Sequence, residues 1–438
     1  MTGSFWKVAV DAPLLGPLTY STADLSSDTA DFNPVRGQRV HVPLGGRKAT
    51  GVLLGPDEAP KENVKMKSIV GTDDEFPALP EPFLRWLEWL SDYYIHPIGQ
   101  VCDLAYPPLR QTSRTRGSRK DPVIPEVELK EKHALNPEQT AAVEGILSKP
   151  GFGAHLLFGV TGSGKTEVYL ELLEACLQQG KSGLFLVPEI ALTPQLLRRF
   201  AERFGSQMAV IHSQLTDRER TEQWWRIQRG EKKILMGARS AVFCPISDLG
   251  LVIVDEEHEP SFKQEEKLKY HARDAAVMLA KEFNCPVVLG SATPSLESWK
   301  NALEGKYHLH RMDKRVGEQP LPNVNIIDLR KDESKVSSKS GLPFWMTPQL
   351  HESLLHTLAI KKQSALFLNR RGFAPVVVCQ ECGTTKMCPN CDISLTLHGR
   401  HHLVCHYCNY EETFSDQCPK CPGELMPLGL GTEQVEED

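Results

Sequence analysis

The chain's 438 residues suit two to four domains at ~100–200 residues each, and its 40% hydrophobic, 24% charged composition excludes a disordered or fibrous protein. No apolar run nears the ~18 residues of a membrane helix, and the opening MTGSFWKVAV lacks a signal-peptide core, so the expected location is the cytoplasm. A net charge of −6 argues only weakly against nucleic-acid binding, because a whole-chain sum hides local patches.

In chain order, residues 1–106 read as a small β-rich unit followed by a helix. Strand-like runs at Trp6–Val10, Gln38–Pro43, Thr50–Leu54 and Lys67–Val70 are separated by Gly, Pro and Asp turns. Phe83, Trp86, Leu87, Leu90 and Tyr94 recur at helical spacing and predict a helix over Glu81–Tyr94, with Pro97 and Gly99 ending it. Residues 107–134 read as a basic, proline-containing linker. Within it RQTSRTRGSRK (110–120) carries five Arg or Lys and no acid, which suits a solvated tether or a nonspecific phosphate contact.

Over residues 135–341 strands and helices alternate. Strands are expected at His155–Phe158, Gly183–Val187, Ala209–His212, Lys233–Met236, Leu251–Asp255 and Val287–Gly290. Helices are expected at Lys165–Gln179, Pro194–Phe204, around Glu219–Gln228 and from Arg273 to Phe283. Near-continuous Val/Ile/Leu strands belong to a parallel sheet covered on both faces, so the expected fold class is α/β, a doubly wound lobe. A cysteine-rich module occupies 379–421.

The segment GVTGSGKT (159–166) fits G-x4-G-K-[ST] between an apolar strand and a helix. Backbone amides of Gly159, Thr161, Gly162, Ser163 and Gly164 can curl around a triphosphate at a helix N-terminus. Lys165 would neutralise phosphate oxygens, and the Thr166 hydroxyl would take a Mg²⁺ position. LVIVDEEH (251–258) is an apolar strand ending in acids. Asp255 suits the Mg²⁺ bridging the phosphates, and Glu256 the orientation or deprotonation of the attacking water. Gln139, in LNPEQ (135–139), could read an adenine edge. These residues imply ATP and Mg²⁺ as cofactors.

Eight of the twelve cysteines fall between Cys379 and Cys421, as Cys379-x2-Cys382-x5-Cys388-x2-Cys391-x13-Cys405-x2-Cys408-x9-Cys418-x2-Cys421. Each C-x2-C knuckle points two thiolates at one tetrahedral ion, so four knuckles make two Cys₄ zinc sites. Such sets also suit an iron–sulfur centre. Five residues separate the first two pairs and 13 the second and third, which favours nesting. The inner site would be Cys388, Cys391, Cys405 and Cys408, and the outer Cys379, Cys382, Cys418 and Cys421. His401, His402 and His406 are then surplus.

VPEIALTPQ (187–195), GARSAVF (237–243) and GSATPS (290–295), with DEEH as a variant box, resemble in order and spacing the superfamily 2 helicases. SFKQEEKLKYHARD (261–274), FLNRRGF (367–373), the cysteine cluster, GLGTEQ (429–434) and HPIG (96–99) look most like the PriA family of primosomal replication-restart helicases. The resemblance implies ATP hydrolysis coupled to 3′→5′ movement along DNA at stalled or abandoned forks, and the same zinc pairing. Residues 187–195 and 237–243 would touch the single-strand backbone. Residues 261–274 would sense DNA, with Phe262 and Tyr270 stacking on bases and Arg273 contacting DNA. The N-terminal unit resembles a domain that captures DNA 3′ ends, in a pocket around Leu18, Thr19, Tyr20 and Gly37. Implied partners are single-stranded and forked DNA, primosome proteins and single-strand-binding proteins, with the chain a monomer. The resemblance implies that residues 135–341 are a P-loop (RecA-like) helicase lobe and that a second lobe begins at 342–378, resumes at 422–438 and continues past GLGTEQVEED, so the chain is expected to be a front portion with impaired unwinding. A fork-recognition module without unwinding is the alternative, and a P-loop kinase leaves the helicase motifs without a role.

Overall fold

A computed structural model describes residues 4–23, 33–58, 66–109, 124, 127–129, 132–318, 323–327, 346–367, 376–379, 381–398 and 401–428. The basic run 110–120, FLNRRGF beyond Phe367 and GLGTEQ (429–434) lie outside these. The chain divides into two compact units, Met1–Pro320 and Leu321–Asp438.

In the first unit, strands β1 (Phe5–Val10), β2 (Leu18–Ser21), β3 (Arg39–Leu44), β4 (Arg47–Asp57) and β5 (Gly71–Thr72) form an antiparallel sheet in the order β2-β1-β4-β3-β5. Alternating Val8, Val10, Val40 and Val42 bury one face with Tyr20, Leu53 and Ile69. The strand expected at Lys67–Val70 is displaced: Ser68 makes only an isolated bridge to Ser21, and the ladder forms at Gly71–Thr72. Helix α1 (Glu81–Tyr94) has the predicted limits and buries Phe83, Leu84, Trp86, Leu87 and Leu90. It ends before Pro97, with Ile95 in the left-handed region. A second helix, α2 (Ile98–Asp103), starts after Pro97, and Gly99 lies within it because a Cβ would come 1.7 Å from the Val10 carbonyl oxygen.

The rest of this unit is α3 (Pro137–Leu147), β6 (Gly153–Gly159), α4 (Lys165–Gln178), β7 (Ser182–Leu186), α5 (Pro194–Phe204), β8 (Met208–Ile211), α6 (Asp217–Gln228), β9 (Ile234–Gly237), β10 (Leu249–Asp255), α7 (Ala272–Glu282), β11 (Pro286–Ser291), α8 (Leu296–Leu303) and β12 (His308–Met312). Its seven strands run parallel in the order β12-β6-β11-β10-β7-β9-β8. Strand β12 escapes the sequence reading because HLHRM lacks the apolar run of its neighbours.

Helix α1 is docked on this lobe. The Trp86 indole N–H donates to the Ala275 carbonyl at 2.8 Å, and Arg85 pairs with Glu282 at 2.8 Å. Phe83, Trp86 and Leu90 therefore share one apolar cluster with Trp224, Phe243 and Leu279 of the lobe. The expected linker is partly attached too: Ile124 is buried, and Lys132 pairs with Glu174 at 2.7 Å.

Strand β12 brings His308 and His310 against His155, whose Nδ1 lies 3.0 Å from His310 Nε2. Burial, then the neighbouring histidines, push His155 down to about 3. An unfolded histidine protonates near pH ~6.5. The neutral ring thus contributes stability that is present above that value and lost as pH falls below it toward 3. Stability is expected to fall by about 1–2 kcal/mol from pH ~7 to ~5 through this residue, and His155→Leu should flatten the dependence in urea unfolding.

In the second unit, α9 (Pro348–Ala359) is capped by the Thr347 hydroxyl. Strand β13 (Val376–Cys379) pairs with β17 (Leu425–Leu428), and β14 (Thr396–His398), β15 (His402–Val404) and β16 (Glu411–Thr413) form a three-stranded antiparallel sheet. No helix among the described residues is long and apolar enough to cross a membrane.

Candidate nucleotide and zinc sites

A cavity of about 720 Å³ opens at the C-terminal end of β6, where α/β sheets bind ligands. Thr161, Gly162, Ser163, Gly164, Lys165 and Thr166 line it together with Asp255, Glu256 and Gln139. Gly162 and Gly164 both have φ +82, which only glycine adopts at little cost, and Gly164 leads into α4. Ser163 Oγ is buried without a partner among the described residues, and the Lys165 ammonium folds back onto the Gly159 carbonyl at 3.0 Å. Donors held in reserve around an open loop fit a triphosphate.

Asp255 ends β10 and accepts a hydrogen bond from the buried Tyr169 hydroxyl at 2.8 Å. Burial, with Glu256 next to it, pushes the Asp255 carboxyl up to about 6. Gly290 is required here, because a Cβ would lie 1.6 Å from the Tyr169 oxygen. Glu256 has φ +48, a left-handed strain that places its carboxylate on the cavity rim. Gln139 sits in the wall, but its amide is engaged with the Ser163 and Gly164 carbonyls at 3.2 and 3.3 Å, and its oxygen closes a capping box on Asn136. Among the cavity residues the sequence reading missed are Arg199, from α5, and Val316, whose N–H donates to the Gly162 carbonyl.

Glu257 was also missed, because the third acid of a run gives no sign of burial. It is fully buried and accepts from Arg273 Nη1 (3.2 Å), Ser295 N–H (2.7 Å), Ser295 Oγ–H (3.0 Å) and Ser298 Oγ–H (2.9 Å). His258 Nδ1 lies 2.8 Å from Ser291 Oγ. The DEEH box, GSATPS and the end of segment 261–274 thus meet at one buried point.

Four side chains expected at DNA lie inside the fold in this structure. Arg273 is only 8% exposed and spends its guanidinium on Glu257, Ser295 and Asp274. Phe262 (1%) and Tyr270 (5%) are packed in the apolar cluster. Tyr20 is core, and its hydroxyl donates to the Pro43 carbonyl at 3.2 Å. Beside it on β2, the half-buried Thr19 hydroxyl donates to Asp57 at 2.6 Å, a hydrogen bond that holds the Asp57 carboxyl below its usual range.

In the second unit, the β13–β17 pairing joins the first and last knuckles, while the β14–β15 hairpin joins the middle two. Cys379, Cys382, Cys418 and Cys421 gather in one set, and Cys388, Cys391, Cys405 and Cys408 in another, the sulfurs of each lying within 4.8 Å of one another. Closest pairs are Cys379–Cys421 at 3.5 Å, Cys382–Cys418 at 3.6 Å and Cys388–Cys408 at 3.6 Å. A tetrahedron with Zn–S bonds of ~2.3 Å has edges of roughly 3.8 Å, so both sets fit zinc in the nested pairing.

Three family models match: the 3′DNA-binding domain (3′BD) at residues 7–107, the DEAD/DEAH box helicase at 136–302 and the PriA DNA helicase Cys-rich region (CRR) domain at 388–412. Curated relatives called replication restart protein PriA align closely. The one from Haemophilus influenzae is 34% identical over 98% of this chain and 68% of its own length. That from Treponema pallidum is 36% identical over 98% and 64%, and that from Bacillus subtilis 46% identical over 69% and 38%. This chain therefore spans only part of the length of its relatives. With the helicase lobe, the N-terminal domain and both cysteine sets in place, the chain belongs to the PriA family of replication restart proteins.

Proposed function

We propose that this chain is the ATP-hydrolysing, fork-recognising part of a 3′→5′ DNA helicase that remodels abandoned replication forks in the cytoplasm for loading of the replicative helicase. Single-stranded and forked DNA are its substrates, with primosome and single-strand-binding proteins as partners of the monomer. The observation that carries this reading is Glu257, one residue from the cavity-lining Glu256 and hydrogen-bonded to Arg273 and Ser295. A nucleotide-dependent shift of the DEEH strand end would reach the 261–274 segment through that node.

In this mechanism the loop amides and Lys165 hold the phosphates, and Thr166 and Asp255 would hold Mg²⁺. Mg²⁺·ATP, when bound, supplies an activated phosphoanhydride with its charge neutralised. Glu256 orients the attacking water and takes its proton. Tyr169 fixes the Asp255 carboxylate by its hydrogen bond.

Hydrolysis on this chain is expected to rise severalfold with oligo-dT or a forked duplex. Rates that ignore DNA would overturn the reading. Fork binding without strand separation in the presence of ATP would favour a recruitment module instead.

A further inference from the structure

The segment between β10 and α7 folds back on itself. Lys263 and His271 form an antiparallel bridge, and the Gln264 N–H donates to the Tyr270 carbonyl at 2.9 Å, so residues 263–271 are a small hairpin. Its base is gripped from the motor lobe by Arg239, which donates to the Ser261 and Lys263 carbonyls at 3.1 and 2.6 Å.

A second grip comes from the N-terminal domain. The Tyr94 hydroxyl, at the end of α1, accepts the His271 backbone N–H at 3.2 Å. The Tyr94 ring lies beneath the Lys263 ammonium, 5.8 Å from Nζ, so one side chain touches both sides of the hairpin base. His271 is the N-cap of α7 but caps nothing with its side chain, whose Nδ1 is buried without a partner among the described residues. Its amide is one of the donors a helix start leaves open, and Tyr94 satisfies it from another domain. The phenol is held in place edge-on to Tyr93 (4.9 Å, 82°) and Trp89 (6.3 Å, 77°), on a helix anchored by the Trp86–Ala275 hydrogen bond. Two residues beyond His271, Arg273 enters the Glu257 node.

We propose that Tyr94 is a positioning residue: through it the N-terminal domain sets the hairpin 263–271, and with it the response of the ATP site to DNA. The second half rests on the proposed function above. A domain that holds DNA at a fork would then act on the motor through a contact already made, and DNA bound to the N-terminal sheet would tighten or loosen a single helix start.

Tyr94→Phe keeps the ring and removes only the acceptor. In the full chain, amide hydrogen exchange over 263–271 should quicken about fivefold, as expected for the loss of one hydrogen bond. The maximal oligo-dT-stimulated ATPase rate should fall by a similar factor. Basal hydrolysis and oligo-dT affinity, measured by anisotropy, should stay unchanged, which separates positioning from a general loss of fold. Unaltered exchange would overturn the proposal, as would unaltered stimulation in a wild-type chain that responds to DNA. If the wild-type chain shows no stimulation, the proposed function fails by itself, and the exchange result still decides whether Tyr94 sets the hairpin.

Discussion

Cys405→Ala is expected to release at least one zinc ion and to unfold the ribbon around β14–β16. A structural zinc site contributes an apparent ~10–16 kcal/mol, while whole domains are held by about 5–15 kcal/mol. The rest of this module cannot replace that. Its apolar cluster has five buried aliphatic side chains, Val377, Leu395, Leu397, Leu403 and Leu425, and the cysteines complete it. Cys405 is fully buried, so its loss removes a ligand and opens a gap in the same core. Native mass spectrometry should show two zinc ions in the parent chain and one or none in the variant, with residues 388–408 newly open to proteases. Cys285→Ala, a buried thiol outside the module, should retain both ions. Two ions in Cys405→Ala would refute the ligand assignment.

Lys165→Ala should lower ATP hydrolysis by about 10²–10³-fold, the range seen when one preorganised charge donor is removed from a reacting group. The Lys165 ammonium now rests on the Gly159 carbonyl, within its own loop, so a short swing would bring it onto a phosphate. Stability should change little, since the substitution removes a single hydrogen bond to the Gly159 carbonyl and Lys165 itself lines an open cavity. Steady-state hydrolysis and a thermal melt together check this. A variant that hydrolyses ATP normally would move the phosphate charge to another residue, with Arg199 in the cavity wall as a candidate.

The sequence announced some of this architecture and hid the rest for identifiable reasons. Helix α1 was legible to the residue because its apolar positions recur without interruption and a proline stands on either side. Both cysteine sets were legible because knuckle spacing is a local constraint. The burial of the side chains expected at DNA was not. Phe262, Tyr270 and Arg273 have the chemistry of nucleic-acid ligands, but residue type does not report burial. Phe262 and Tyr270 are enclosed in an apolar cluster that α1 completes from some 180 residues earlier in the chain, and Arg273 is held by Glu257 and Ser295. Glu257 was overlooked for the converse reason, since a carboxylate that looks solvated is satisfied by a helix start 38 residues away. Long-range packing, not local propensity, decided each of these.

The shared core of the N-terminal domain and the motor lobe has a consequence for cooperativity. Phe76 stacks on Trp225 at 5.4 Å, Trp224 donates its indole N–H to the Ala105 carbonyl at 3.0 Å, and Trp86 reaches Ala275. The boundary legible near residue 106 is therefore a seam in the sequence and not in the packing. A motor lobe produced from Leu135 onward would carry Trp224, Trp225 and Phe243 bare into water and self-associate. The joined pair is expected to melt and refold as one body.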